Sequence, residues 1–135
     1  MHGRFREADE LSRIVIGAAI EVHRALGPGL LESIYERCLA HELKLRGLEV
    51  ECQRTVRIQY KGLVFDECLR FDLLVNGCLL LEIKAAQEII PIHKAQLLTY
   101  MHLLDVPLGL ILNFHEPLMI DGVHRLLLPG ANIPD

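Results

Sequence analysis

Hydrophobic side chains follow a helical period in the first third of the chain. Between residues 10 and 26 they recur every three to four positions, at Leu11, Ile14, Val15, Ala18, Ala19 and Val22. This spacing predicts an amphipathic helix that begins after Asp9, a good N-cap residue, and ends at Gly27-Pro28-Gly29. A second helix is predicted over about 30–46, with Leu31, Ile34, Tyr35, Cys38 and Leu39 on one side and Gly47 as its stop.

The period changes to two in the middle of the chain. In "RTVRIQY" apolar Val56, Ile58 and Tyr60 alternate with polar residues, which predicts a half-buried strand that ends at Lys61-Gly62. Two continuous apolar runs then flank the turn signal Asn76-Gly77, and they predict a hairpin covered on both faces of a sheet. Its strands would be 68–75 and 78–85.

The remaining segments add a helix and further strands. Pro91 suits the first position of a helix over about 91–104. "LGLILNF" at 108–114 predicts another buried strand, and 119–127 predicts an edge strand or hairpin. Two helices, three strands, a helix and one or two more strands indicate an α/β sandwich with a mixed sheet.

Three charged side chains interrupt the apolar hairpin: Asp72, Glu82 and Lys84. Glu82 and Lys84 share a face because they are two residues apart. Asp72 joins them only if the hairpin loop has three residues or an equivalent bulge, since an unbulged two-residue loop would turn it to the opposite face. We predict the loop Val75-Asn76-Gly77, with Gly77 at positive φ.

Composition limits the classes of protein. A chain of 135 residues, 51% of them hydrophobic, predicts one domain with a substantial core. No apolar run is long enough for a membrane span, and the polar N-terminus does not resemble a signal peptide, so we expect a cytoplasmic protein without a membrane partner. The net charge of −4 argues against nucleic-acid binding by bulk charge but leaves room for a local basic groove.

The cysteines do not form a recognisable metal or disulfide motif. Cys38, Cys52, Cys68 and Cys78 are scattered and include no CxxC pair. We expect reduced thiols rather than a disulfide or a zinc site, because cysteines of intracellular proteins usually stay reduced.

Two carboxylates from neighbouring strands would form a hard-oxygen site suited to Mg²⁺ or Mn²⁺. A lysine beside them can orient a water or stabilise charge on a phosphate. The alternative is that Glu82 and Lys84 lie on an exposed face with Asp72 elsewhere, because this spacing also arises by chance.

The motifs taken together resemble a known family. "GLLESIY" fits a GxxExxY signature, and "RFDLLVNG", "LEIKA" and "HKAQLLTY" follow in order. From about residue 10 to residue 128 the chain resembles the GxxExxY protein family, a branch of the PD-(D/E)xK nuclease superfamily. The resemblance implies a restriction-endonuclease-like α/β sandwich, with a mixed central sheet flanked by helices, over residues 1–135.

The resemblance also implies roles for individual residues. Asp72 and Glu82 would be metal carboxylates, with the carbonyl of Ile83 and the carboxylate of Glu32 as further ligands. Lys84 would be the catalytic lysine. Gln96 and Tyr100 fit the QxxxY element of exonuclease-like branches, and Phe71 stands where the superfamily name has proline.

Several residues around this set have two interpretations. Gln96 and Tyr100 lie one helical turn apart, with His93 on the same stripe, and this stripe could contact phosphate or simply face solvent. His23 could bind substrate or favour a helix C-terminus, and Tyr35 is better explained as a core residue. The basic residues that could guide a nucleic acid are Arg54, Arg57, Lys61, Arg70 and Lys94, and Arg70 is a candidate substrate contact.

Three functions remain open from the sequence. The first is a nuclease dependent on Mg²⁺ or Mn²⁺ that hydrolyses nucleic-acid phosphodiester bonds, with DNA favoured over RNA. The second is a non-catalytic nucleic-acid-binding or protein-interaction module that retains the fold. The third is a regulatory protein that forms a homodimer or binds a partner protein through an apolar helix or edge strand.

Overall fold

The computed structural model describes all 135 residues. Three helices and five strands follow one another in the order that the sequence predicts. The helices are α1 (Phe5–Leu26), α2 (Glu32–Leu45) and α3 (Pro91–Leu104). The strands are β1 (Val50–Tyr60), β2 (Leu63–Val75), β3 (Leu79–Lys84), β4 (Leu108–Asn113) and β5 (Val123–Leu127), with a short 3₁₀ helix, Met119–Gly122, before β5.

The five strands form one mixed sheet in the order β1-β2-β3-β4-β5. Only β3 and β4 are parallel, and α3 connects them, as a parallel pair requires a crossover. The other neighbours are antiparallel. The mixed sheet flanked by helices is the restriction-endonuclease-like architecture that the family resemblance implies.

Both faces of the central strands are covered. On one face Leu73, Leu81 and Ile83 belong to a core with residues of α1 and α2. On the other face Leu74 and Leu80 pack with residues of α3. The alternation of these leucines between two cores explains why the hairpin sequence is continuously apolar.

Strands β1 and β2 extend far beyond the rest of the sheet. Only the last three residues of β2, Leu73–Val75, pair with β3. Residues 53–70 therefore pair only with each other, as a two-stranded ribbon that ends in the turn Lys61-Gly62. Both turn residues have positive φ, 45° and 89°, as a tight two-residue hairpin turn requires.

The starts of α1 and β2 differ from the sequence-based expectations. α1 begins at Phe5 rather than after Asp9, because Ala8 is fully buried one turn before Leu11 and continues the apolar stripe. Asp9 therefore caps nothing, and its carboxylate accepts a hydrogen bond from Arg125 Nη2 at 2.7 Å. β2 begins at Leu63 rather than at residue 68, because the turn pairs its exposed first residues with β1.

The cysteines and the helices can be compared with the predictions about disulfides and membrane spans. All four cysteines are free thiols, and Cys78 is buried in the core. None of the helices combines the length and the hydrophobicity needed to cross a bilayer.

Candidate active site

The hairpin register brings Asp72 and Glu82 to one face of the sheet. Leu73 pairs with Leu81 and Val75 with Leu79, so the continuing register sets Asp72 opposite Glu82. Directly opposed residues of an antiparallel pair share a face. The parity condition deduced from the sequence is therefore met.

The loop that produces this parity is not the predicted one. The three unpaired residues are Asn76, Gly77 and Cys78 rather than Val75-Asn76-Gly77, because Val75 itself pairs with Leu79. Asn76 and Gly77 both have positive φ, and the Cys78 N–H donates to the Val75 carbonyl at 3.1 Å. The Asn-Gly pair thus makes a tight turn, and Cys78 is the extra residue that shifts the register.

Asp72 lies where β2 separates from both of its neighbours. Three residues, Phe71–Leu73, stand opposite the single residue Cys52 of β1, which is a local irregularity of the strand pairing. Its carboxylate Oδ2 accepts a hydrogen bond of 2.7 Å from the backbone N–H of Ile83. Irregularities of this kind re-aim a side chain, and here the carboxylate is fixed against the strand that carries Glu82 and Lys84.

Glu82 and Lys84 form a half-buried ion pair. Lys84 Nζ lies 3.7 Å from Glu82 Oε1, and each side chain is 20% exposed. The other carboxylate oxygen, Oε2, is buried and has no hydrogen-bond partner. A buried charged oxygen without a partner is costly, so this atom marks a place where a cation or a proton donor would bind favourably.

A small cleft of about 180 Å³ joins these strands to α3. Asp72 and Glu82 line it on the sheet side, and Gln96 and Tyr100 line it on the helix side. Arg70 also contributes to the wall. The structure thus brings together Asp72, Glu82, Gln96, Tyr100 and Arg70 from the set named by sequence, with Lys84 paired to Glu82.

The environment makes both carboxylates harder to ionise. Burial raises the pKa of Asp72 above its ordinary value, opposed by the hydrogen bond from Ile83 and by the charge of Lys84. Burial also raises the pKa of Glu82, where the charge of Lys84 opposes the rise and that of Asp72 adds to it. Two acids with raised pKa values in one cleft are typical of a functional site.

Helix α2 adds two acids to this electrostatic environment. Glu32 is its first residue, and its negative charge contributes to the raised pKa of Glu82. Glu36 lies one turn further along, and its pKa is raised by burial first and then by the charges of Asp72 and Glu32. Sequence reasoning missed Glu36, although its i, i+4 spacing from Glu32 was a usable signal.

Two histidines named from the sequence lie outside the cleft walls. His93 Nδ1 accepts a hydrogen bond of 3.3 Å from the Ile90 N–H, so this side chain caps the start of α3. His23 is buried, and its Nε2 lies 2.8 Å from the Glu116 carbonyl. The structure therefore gives His23 a structural contact and does not bring it to the cleft, because α1 packs on the opposite face of the sheet.

Tyr35 is a core residue, as its sequence context favoured. Its ring is fully buried and stacks on Phe114 at 4.6 Å between centroids. Its hydroxyl donates to the Gly27 carbonyl at 2.6 Å and accepts from the Leu30 N–H at 3.0 Å. The tyrosine of the GxxExxY signature thus fixes the connection between α1 and α2, which precedes Glu32.

Asn113 and His124 are two more polar residues that the sequence did not single out. The Asn113 side chain is buried and bonds both the N–H and the carbonyl of Ala86, so it holds the chain just after Lys84. Glu82 pairs with Ile111 of β4, and Ile111 pairs with His124 of β5. His124 therefore lies two strands from Glu82, which is roughly 10 Å across the sheet. Burial lowers the pKa of His124, and the charge of Lys94 adds to this effect.

The donor set suits a hard divalent cation, although it is not preassembled. No group of three or more His, Cys, Asp and Glu side chains stands close enough to hold a metal ion by itself. Asp72, the unpartnered Glu82 Oε2 and the charge of Glu32 nevertheless supply oxygen chemistry for such an ion. Mg²⁺ sites commonly use only one or two carboxylates and complete the shell with water and substrate phosphate.

Comparison with known protein families agrees with this geometry. The model of the PD-(D/E)XK nuclease superfamily matches residues 9–126, which is most of the chain. The chain therefore belongs to the PD-(D/E)XK nuclease superfamily. The GxxExxY branch within it stays a prediction from the motifs. No curated protein and no solved structure shows a significant match.

Proposed function

We propose that the chain is a metal-dependent nuclease that hydrolyses phosphodiester bonds at the cleft between β2, β3 and α3. The observation that carries the proposal is the convergence of Asp72, Glu82 and Lys84 on one face, with Glu82 Oε2 buried and unpartnered. Membership of a nuclease superfamily supports the same reaction class. Mg²⁺ or Mn²⁺ would supply a Lewis acid for the phosphate and a more acidic bound water.

The protein side chains would have distinct parts in this reaction. Asp72 and Glu82 would hold the cation, with Glu32 and the Ile83 carbonyl as additional oxygen ligands. The Ile83 N–H keeps the Asp72 carboxylate oriented before a cation binds. Lys84 would move from Glu82 toward the phosphate or the attacking water once a cation neutralises the carboxylates.

Residues of α3 and β2 would position the substrate. Gln96 and Tyr100 line the cleft opposite the carboxylates, where an amide and a phenol hydroxyl can contact phosphate oxygens. Arg70 on the same wall can form a charge-assisted bond to a neighbouring phosphate. His93, one turn before Gln96, would contact substrate only with its remaining ring nitrogen, since Nδ1 caps the helix.

A non-catalytic binding module is the second candidate. The Lys84–Glu82 ion pair and the lack of a preassembled metal group are what a fold that had lost turnover would also show. In that case Lys84 would neutralise the carboxylates permanently, and nucleic acid would bind without being cleaved.

Cleavage assays distinguish the two candidates. Labelled single- and double-stranded DNA and RNA are incubated with the protein in Mg²⁺, in Mn²⁺ and in chelator. We expect cleavage of at least one substrate that requires the cation and falls at least ~10²-fold in Glu82→Gln. Glu10→Gln, an exposed acid of α1, is the control variant and should cleave normally. Absence of cleavage by the wild type under every condition would support the binding module.

A further inference from the structure

The ribbon of residues 53–70 leaves the body of the protein beside the cleft. Val56 and Leu69 are its last side chains to pack with the core beneath α3. From Leu69 to Leu63 the strand continues for six residues, roughly 20 Å at ~3.3 Å per residue. This distal part pairs with no strand other than its partner, so it is an arm available for binding.

Charge is distributed unevenly between the arm and the rest of the chain. Residues 53–70 contain four cations, Arg54, Arg57, Lys61 and Arg70, against two acids, Asp66 and Glu67. The ribbon is therefore net +2 in a chain whose net charge is −4. Arg57 is paired with Asp66, and Arg54 with Glu51 just before the ribbon, so Lys61 at the tip and Arg70 at the base are the cations that favour an anionic partner.

The tip of the arm combines a cation with apolar side chains. Lys61 Nζ lies 5.4 Å from the centre of the Tyr60 ring at the turn. Tyr60, Leu63, Val64 and Phe65 beside it are each at least 40% exposed. Apolar side chains next to cations suit the contact with base edges and methyl groups that flank a charged backbone.

We propose that this ribbon is an arm that binds duplex DNA through the major groove and leads the strand toward the cleft. The arm and the cleft are continuous, because Arg70 belongs to the ribbon and also lines the cleft with Asp72. Contact with the arm of a second copy is a poorer alternative, since two arms of net +2 would repel each other. The inference rests on the proposed function only in taking nucleic acid as the substrate.

The width of the grooves makes the proposal specific for DNA. The major groove of B-form DNA is about 12 Å wide and admits a two-stranded ribbon. The major groove of an RNA duplex is deep and too narrow for side chains to read. A ribbon that enters the major groove therefore binds a DNA duplex and discriminates against an RNA duplex of the same sequence.

The salt dependence of binding tests the arm directly. A fluorescent DNA duplex and the matching RNA duplex are titrated with the full chain in chelator, so that no cleavage occurs. Lys61→Asn removes one charge and keeps the turn, since asparagine tolerates positive φ. We expect the slope of log affinity against log salt to fall by about 0.9, and the affinity to fall roughly five- to tenfold near 0.1 M salt. Lys44→Asn, an exposed lysine of α2, should leave both unchanged.

A double variant and the RNA duplex give two further measurements of the arm. The double variant Arg57→Gln/Lys61→Asn should lower the slope further than Lys61→Asn alone, and the RNA duplex should bind more weakly than DNA. Equal slopes for wild type and Lys61→Asn on DNA, or equal affinity for both duplexes, would overturn the proposal. So would sedimentation showing a dimer that Tyr60→Ser converts to a monomer.

The two proposals fail in different ways. If the chain cleaves DNA but Lys61→Asn binds like the wild type, the proposal of a DNA-binding arm is wrong and the proposal of a nuclease is supported. If no substrate is cleaved while the slope falls as expected, the arm stands and the nuclease is wrong.

Discussion

Removing the charge of Lys84 should destabilise the protein when no cation is bound. At an effective dielectric constant near 20, charges 3.7 Å apart attract with about 4.5 kcal/mol. Lys84→Met keeps most of the side chain, so the change isolates the charge. It leaves Glu82 half-buried, without its cation and with both oxygens unpartnered. Solvent reaches a fifth of each side chain, so we expect a net loss of ~2–3 kcal/mol, below the range for fully buried pairs.

This loss is large enough to measure by thermal unfolding. A chain of 135 residues has an unfolding entropy of about 0.28 kcal/mol per kelvin, so the melting temperature should fall by roughly 7–11 °C. The assay is calorimetry in chelator, with Lys44→Met as the matched control on exposed α2. Adding Glu82→Gln to Lys84→Met should recover most of the loss, because it removes the uncompensated charge.

A divalent cation should also recover stability, because it replaces the missing positive charge. Saturation to about 100 times the dissociation constant adds ~2.7 kcal/mol. An unchanged melting temperature for Lys84→Met in chelator would refute the electrostatic account of the site. So would a loss that Glu82→Gln fails to reduce.

Three further predictions follow from the same contacts. Because the pKa values of Glu36, Asp72 and Glu82 are raised, the folded state holds protons that the unfolded chain releases. The free energy of unfolding should therefore increase as pH falls from neutral toward the ordinary carboxyl pKa near ~4, and decrease as pH rises again. Denaturant midpoints should show a smaller increase in Glu82→Gln than in the wild type, and an equal pH dependence in both proteins would contradict the prediction. Asp72→Asn should weaken Mn²⁺ binding at least tenfold in calorimetry, because an amide lacks the charge that holds a hard cation, whereas Asp66→Asn should bind normally; unchanged affinity for Asp72→Asn would exclude this ligand. Asn113→Ala should lower the free energy of unfolding in urea by ~2–4 kcal/mol, because it leaves the Ala86 N–H and carbonyl without their partners. A decrease of less than ~1 kcal/mol would show that water replaces the side chain.

Much of the fold follows from local patterns in the sequence. The hairpin is the clearest case, because apolar continuity indicated strands covered on both faces and parity showed what Asp72 required to join Glu82. Helix α3 spans the predicted residues 91–104, since Pro91 fixes its start and Asp105 ends it in the left-handed conformation. These features depend on the chain's own geometry and need no knowledge of distant contacts.

The details that the sequence did not reveal depend on tertiary contacts. Cys78 becomes the extra loop residue because Val75 pairs with Leu79. The hydrogen bond from the Ile83 N–H to the Asp72 carboxylate requires that β2 separate from β3 at Asp72. The sequence leaves His23 open as a substrate contact or as a residue that favours a helix C-terminus. It is a buried partner of the Glu116 carbonyl, 93 positions away in sequence, which no local pattern predicts.

The central claim is that Lys84, beside Asp72 and Glu82, takes part in phosphodiester hydrolysis. The most direct test is to measure kcat, KM and substrate affinity for the wild type, Lys84→Ala and the control Lys44→Ala in Mn²⁺. The proposed nuclease predicts that Lys84→Ala lowers kcat by ~10²–10³-fold with little change in affinity, because a group that stabilises the transition state acts on turnover. A wild type that cleaves nothing, together with a Lys84→Ala variant changed only in affinity or melting temperature, would contradict it.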